Sequence, residues 1–386
     1  MDKRKRKESI KTKKKGKFLG TILFILVFGS IGFFMGYLSE TYFEGQNPIG
    51  ELSNIYILVL MTFVVYISHI IIHEAGHLVF GLMTGYSFIS FRIGSFTIVK
   101  EDNKLKIKRF NIPGTAGQCL MMPPEMIEGE FPFIIYNLGG ALANLIISFI
   151  GILALIYIKG ISSSLYAILF LSSSIGIITG LTNAIPMKIS GVSNDGYNIL
   201  SMIRDEEAKR GFYVQLKVNG LLTKGIRAKD MSVETFQLKE GADVSNPLNT
   251  SMKLMEYNWY LDNMDLENAK ECINSLIPYM DRIMPLYVNE INIERMFLEL
   301  VGDCNRDFID NLYDKNLKKY IKASKFMIGK KRFLMAYEAF YNEDKDKALE
   351  YYEEIKRLAK KYPIKADADM EIMLVDWVKD KININI

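Results

Sequence analysis

Side chains that could bind a metal and activate water are concentrated in one short stretch of the chain. Residues 73–77 read H-E-A-G-H, and His73, His77 and the nearby His69 are the three histidines of the sequence. On a helix, His77 lies one turn beyond His73 on the same face. Both imidazoles can therefore bind one zinc ion, and Glu74 stands beside them as a proton acceptor for water.

The motif lies inside an apolar run from Ile55 to about Tyr86. At about 1.5 Å per residue, a helix over this run exceeds the roughly 30 Å hydrocarbon core of a bilayer. The run therefore predicts a tilted or projecting transmembrane helix with Glu74 towards its cytoplasmic end. A carboxylate in such a helix is costly and indicates function. A His–Glu cluster that only joins helices is the alternative, but it does not explain the H-E-x-x-H spacing.

Other apolar runs predict three further transmembrane helices, at Phe18–Leu38, Phe131–Ile158 and Ser164–Ile185. Residues 1–17 carry ten Lys or Arg and two acidic side chains, a net charge of +8. Directly before an apolar span, such a run favours a cytoplasmic N-terminus by the positive-inside rule over binding to nucleic acid. Four spans then place both termini in the cytoplasm. We expect an integral, multi-pass protein of the plasma membrane.

The remaining metal ligand has to come from outside the motif, because a catalytic zinc has three protein ligands and one open position. His69 is eight residues before His77, about 12 Å along the helix axis, so it cannot share an ion with both other histidines; a packing role is favoured. Asp195 follows the fourth span and reaches the same side of the membrane as the motif. It is the favoured third ligand, and Cys119 is the alternative.

With N-A-I-P at 183–186 and N-D-G at 194–196 downstream of H-E-A-G-H, residues 55–200 resemble the site-2 protease family of intramembrane zinc metalloproteases. The resemblance implies zinc ligands His73, His77 and Asp195, with Glu74 as catalytic acid and base. Eight residues separate Pro186 from Asp195, more than in the compact family pattern, which leaves the local backbone path open.

The sequence G-A-L-A-N at 140–144 resembles a second motif of that family. The resemblance implies that Asn144 holds the substrate or stabilises the oxyanion. The small residues of the same stretch also suit close helix packing. A buried Asn144 needs a polar partner in either case.

The segment between the second and third spans is too polar to cross a membrane. Phe88–Val99 and Lys104–Phe110 are rich in β-forming residues on either side of a turn at 101–103, which predicts a small β-hairpin. The family resemblance implies that such a hairpin presents the substrate as an added strand.

Residues 199–386 predict a soluble, cytoplasmic helical domain. Tyr260–Ala269 resembles Ala339–Ala348, 79 residues further on, and in each an aromatic-rich helix ends at an Asn/Asp turn before a second helix. These stretches resemble tetratricopeptide helix pairs, although the W-x-x-L-G-x-x-Y pattern is absent; a helical bundle is the alternative. The cysteines, Cys119, Cys272 and Cys304, show no paired framework, which fits a reducing compartment.

The sequence thus predicts a mainly α, polytopic membrane protein with a zinc-protease core at 55–198 and a helical domain at 199–386. The main hypothesis is a zinc-dependent endopeptidase that hydrolyses peptide bonds within or next to transmembrane segments, near the cytoplasmic face. Its substrate would be a transmembrane protein or a precursor peptide, and the helical domain would bind a cytoplasmic protein or peptide. The alternative is a non-catalytic membrane receptor with a structural metal bound by four ligands, Cys119 among them.

Overall fold

The structure is a computed structural model that describes Gly29 and residues 55–101, 104–110, 115–189 and 192–384. The basic residues 1–17 and the predicted span Phe18–Leu38 therefore lie outside the described residues, Gly29 excepted. The described part is mainly α-helical with small antiparallel sheets. It divides into two units, the chain up to His73 with Gly140–Asn183, and Glu74–Gly139 with Ala184–Ile386.

Three helices of the described chain are long and apolar enough to cross a membrane. They are α1 (Ile55–Met83), α2 (Phe133–Tyr157) and α3 (Ser163–Ala184). Their positions agree with the second, third and fourth predicted spans. Large apolar side chains remain exposed on them, such as Phe63 and Phe149, each 61% exposed. Exposed phenylalanines on long apolar helices are typical of a surface that faces lipid rather than water.

Small residues allow the helices of the first unit to approach closely. A Cβ atom on Gly176 of α3 would lie 2.1 Å from Ser148 Oγ of α2 and 2.4 Å from His69 Cε1 of α1. Real side-chain contacts are never that short, so only glycine fits here. The close approach lets polar side chains on the three helices reach one another.

Four antiparallel strands in the order β3-β2-β1-β4 form the main sheet of the second unit. The strands are β1 (Ser87–Ile93), β2 (Phe96–Glu101), β3 (Lys104–Arg109) and β4 (Gly117–Met122). The prediction of one hairpin was incomplete, because Phe88–Val99 forms parts of two strands rather than one. The chain turns at Gly94, whose φ of 58° suits glycine.

A short hairpin, ten further α-helices and a few short 3-10 and π-helical turns complete the described part of the second unit. The strands and α-helices are β5 (Lys188–Ile189), β6 (Val192–Ser193), α4 (Asp195–Arg204), α5 (Glu206–Thr223), α6 (Pro247–Asp262), α7 (Leu266–Asn274), α8 (Pro285–Val301), α9 (Arg306–Leu312), α10 (Lys315–Ala323), α11 (Ile328–Ala336), α12 (Lys345–Ala359) and α13 (Lys365–Ile384). One apolar core lies among α6–α13 and another joins the main sheet to α4 and α5.

One turn recurs three times in the helical region, each time with a residue in the left-handed conformation. Met264, Cys304 and Glu343 have φ angles of 57°, 49° and 59° and lie 40 and 39 residues apart. An Asp or Asn follows each and accepts a hydrogen bond from the backbone at the start of the next helix. Two of these turns fall in the paired stretches noted in the sequence. The spacing exceeds the 34 residues of tetratricopeptide repeats, so that resemblance stays a prediction.

Candidate metal site

The imidazole of His77 is held in one orientation. Its Nδ1 lies 2.8 Å from the backbone oxygen of Tyr136, and a carbonyl can only accept, so Nδ1 carries the hydrogen and donates it. The neutral ring then presents the lone pair of Nε2 on its other side. This is the arrangement that metal-binding histidines adopt, because a bonded N–H fixes the tautomer and the ring orientation.

Asp195 faces that nitrogen, with Oδ2 3.6 Å from His77 Nε2. It is the first residue of α4, where the preceding Asn194 accepts a hydrogen bond from Tyr197 N at 2.8 Å. The side-chain nitrogen of Asn194 also donates to Ile185 O at 2.7 Å. Asn194 thus joins Ile185, which directly follows α3, to the start of α4 and places Asp195.

The extra residues between Pro186 and Asp195 are accounted for by the β5–β6 hairpin. In this hairpin Lys188 pairs with Ser193 and Ile189 with Val192. Because the two strands pair, Ser193 lies beside Lys188. The longer spacing from Pro186 therefore does not displace Asp195.

His73 completes the cluster, one turn before His77 on the continuous helix α1. One ligand atom from each of His73, His77 and Asp195 lies within 4.8 Å of the other two. Gly140 of α2 makes room for the His73 ring, since a Cβ there would lie 2.5 Å from Cε1. The glycine of the G-A-L-A-N motif thus packs against the first histidine of the H-E-x-x-H motif.

The three side chains fit zinc. Imidazole nitrogen and carboxylate oxygen are zinc ligands, and two such atoms about 2.1 Å from one tetrahedral ion lie roughly 3.4 Å apart, close to the 3.6 Å between His77 and Asp195. No further His, Cys, Asp or Glu of the described chain belongs to the cluster. A set of three protein ligands is typical of catalytic rather than structural zinc.

Cys119, the alternative ligand, lies outside this cluster. It is in β4, 5% exposed, and burial, with a smaller contribution from the charge of Glu74, raises the pKa of its thiol to about 12. A thiol must lose its proton to bind zinc, and burial away from the cluster opposes this.

Glu74 lies against the beginning of β4. It is 8% exposed, and a Cβ on Gly117 would lie 2.6 Å from its Oε1. The absence of a side chain at Gly117 therefore leaves the space that the Glu74 carboxylate occupies. The sequence motif predicted Glu74 beside the metal ligands, but it did not predict this strand next to it.

Sequence reasoning missed Arg92, a fully buried cation in β1. Its guanidinium donates to Gly94 O at 2.8 Å, to Thr115 Oγ1 at 2.6 Å and to Gly117 O at 3.2 Å. Burial lowers its pKa, and the carboxylate of Glu74 acts in the opposite direction. Arg92 thus holds the strand that abuts Glu74. An arginine within a β-rich, apolar stretch is the sequence signal that could have identified it.

Asn144 is not part of the cluster. It is 1% exposed, with Oδ1 3.0 Å from His69 Nδ1 and Nδ2 donating to Thr179 Oγ1 at 3.1 Å. His69 also lies 3.0 Å from Ser172 Oγ through Nε2. These bonds link α1, α2 and α3 within the first unit, as the predicted packing role of His69 requires. The predicted catalytic role of Asn144 remains a prediction.

Comparisons of the chain with protein-family models, with curated proteins and with solved structures find no match.

Proposed function

We propose that this protein is a zinc-dependent intramembrane endopeptidase, similar in its chemistry to site-2 proteases. The observation that supports it best is the convergence of His73, His77 and Asp195 within 4.8 Å. Glu74 belongs to the same helical turn, and α1 is long and apolar enough to cross a membrane. A metal with only a structural role would not require a glutamate beside its ligands.

A zinc ion held by His73, His77 and Asp195 would act as a Lewis acid on water and on the scissile carbonyl. Glu74 accepts a proton from the attacking water and delivers it to the leaving amide nitrogen. Its buried position keeps bulk water from competing for that proton. Arg92 acts as a positioning residue, since it holds the backbone at Gly117 beside the Glu74 carboxylate.

The sheet suggests how the substrate is presented. In the described chain β4 is an edge strand, and its first residue, Gly117, lies against Glu74. A substrate segment that adds to the β4 edge would be extended, and its amide bonds would be exposed to attack. A transmembrane helix has to unwind in this way before its backbone can be cut.

We infer the substrate class from the surroundings of the site. Because His73 and His77 lie on a helix that can cross a membrane, the substrates would be transmembrane proteins or precursor peptides cut near the cytoplasmic face. The charge of residues 1–17 favours a cytoplasmic N-terminus, four spans would return the C-terminus to the same side, and we propose the plasma membrane as the location. The helical region would bind the cytoplasmic part of the substrate or a regulatory protein.

The decisive experiment compares Glu74→Gln with the native protein by membrane proteomics. Glu74→Gln should retain zinc and expression, while single-span proteins that the native enzyme cuts accumulate uncut. Glu240→Gln, an exposed glutamate, is the matched control and should behave like the native chain. Full cleavage by Glu74→Gln would refute the mechanism, and retained metal with no substrate in any membrane fraction would favour the receptor.

A further inference from the structure

A second site lies within the second unit, between the main sheet and the helices. The cavity there has a volume of about 520 Å³, within the range of small-molecule sites. Residues of β1, β2, β3, α5 and the start of α13 line it. None of its lining residues belongs to the metal cluster, and it plays no part in the proposed hydrolysis.

The lining is strongly basic, with four lysines and one glutamate. Lys106 donates to Glu101 at 2.8 Å, and Lys108 also bonds that carboxylate. The negative charge is therefore already compensated. The other three lysines are Lys100, Lys224 and Lys365.

These three lysines are exposed, and none forms an ion pair with any carboxylate in the described ranges. The carboxyl end of α5 also borders the cavity, but a helix terminus carries only about half a negative charge. An excess of positive charge remains.

The local backbone brings two of the lysines together. Gly225 follows α5 with a φ of 90°, and a Cβ there would lie 3.1 Å from Lys365 Cδ. The aliphatic part of Lys365 passes over this glycine, and its ammonium nitrogen lies 3.7 Å from the same Cβ position, on the residue next in sequence to Lys224. Three like charges around one concavity repel each other, and a bound anion would relieve this repulsion.

The cavity is also close to the predicted membrane surface. Ser87 lines it and follows Met83, the last residue of α1, by four positions. Four extended residues span at most about 13 Å. Phosphate-bearing lipid headgroups occupy roughly 5–8 Å beyond the hydrocarbon core, so they lie within reach of the cavity. Basic pockets at this level are suited to anionic headgroups.

We propose that the cavity binds a phosphate-bearing anion through Lys100, Lys224 and Lys365. The anion is either the headgroup of an anionic phospholipid or a free phosphorylated molecule from the cytoplasm. Both offer the same acceptor oxygens to the three ammonium groups.

The test uses the purified full-length protein in phosphatidylcholine nanodiscs. One arm measures retention of phosphatidylglycerol over phosphatidylcholine by native mass spectrometry, and the other measures binding of inorganic pyrophosphate by calorimetry. Replacing Lys100, Lys224 and Lys365 together by Ala should weaken binding about 100-fold, because each lysine near an anionic group contributes about fivefold, or about 1 kcal/mol. Higher salt should weaken binding of the native protein as well.

A matched triple variant removes the same charge elsewhere, by replacing Lys315, Lys319 and Lys322 of α10 with Ala. These lysines are exposed and lie outside the cavity, and this variant should bind like the native protein. Lys224→Glu is a second, single-site test that changes the charge by two and should weaken binding about 30-fold. Retention of lipid alone identifies a headgroup, and binding of pyrophosphate alone identifies a free phosphate. Equal binding by both triple variants, or no binding of either probe, would overturn the proposal.

Discussion

His77 Nε2 and Asp195 Oδ2 lie 3.6 Å apart, although His77 belongs to α1, which can cross a membrane, and Asp195 begins α4, which follows α3 in the chain. Asp195→Ala should reduce zinc affinity by at least about 100-fold, because removing a ligand costs more than removing a residue that only supports one. Metal content of the purified protein measures this. Asp369→Ala, an exposed aspartate on α13, is the control. Native zinc content in Asp195→Ala would exclude it as a ligand.

The hydrogen bond from Asn144 to Thr179 allows a test of whether Asn144 joins helices or contacts the substrate. If Asn144 acts by joining helices, Thr179→Val should reproduce most of the effect of Asn144→Ala on thermal stability and cleavage, since it removes the same hydrogen bond. Each change should cost about 1 kcal/mol, and the double variant little more. Thr62→Val, whose hydroxyl bonds only within its own helix, is the control. Loss of cleavage in Asn144→Ala alone would instead indicate contact with the substrate.

Arg92→Lys should reduce the cleavage rate at least tenfold, which corresponds to an increase of about 1.4 kcal/mol in the activation free energy. The zinc content should stay unchanged. One ammonium group cannot bond Gly94, Thr115 and Gly117 with the fork geometry of a guanidinium, so the backbone beside Glu74 loses its support. Arg109→Lys tests an exposed arginine of β3 and should have little effect. Rates for Arg92→Lys equal to those of the native enzyme would show that Arg92 only stabilises the fold.

Asp367 makes the stability of the helical region depend on pH. Burial, with the charges of Glu371 and Asp262, raises the pKa of its carboxyl from 3.8 to about 7. Folding therefore favours the protonated form, and this contribution is complete below about pH 4 and is lost as pH rises through about 7. Asp367→Asn should flatten the fall in stability over that interval.

The two tryptophans, Trp259 and Trp377, lie in α6 and α13. Unfolding of the full chain followed by tryptophan fluorescence thus reports on the helical region. Asp369→Asn, a change on the same helix, should leave the pH dependence as it is in the native protein. Parallel pH curves for Asp367→Asn and the native chain would contradict the prediction.

Patterns that repeat over short distances were predictable from the sequence. Three apolar runs appear as helices, and the turns within the stretches 260–269 and 339–348 both join two helices. The main sheet was predicted less well. Its fourth strand pairs with β1, from which two other strands separate it in sequence, and β-pattern alone does not specify such pairing. The turn at Gly94 divides a stretch that its residue types alone indicated as one strand.

By itself, the sequence determined that His73, Glu74 and His77 share one helical turn, because helical periodicity is a local property of the backbone. Asp195 could be proposed from topology and resemblance, but no local rule relates it to His77. Only the tertiary structure decided that Asp195 rather than Cys119 lies beside the histidines. It also decided that Asn144 bonds to His69 and that Arg92 supports the strand at Glu74. Each of these depends on chain segments far apart in sequence, which come together only when their apolar surfaces pack.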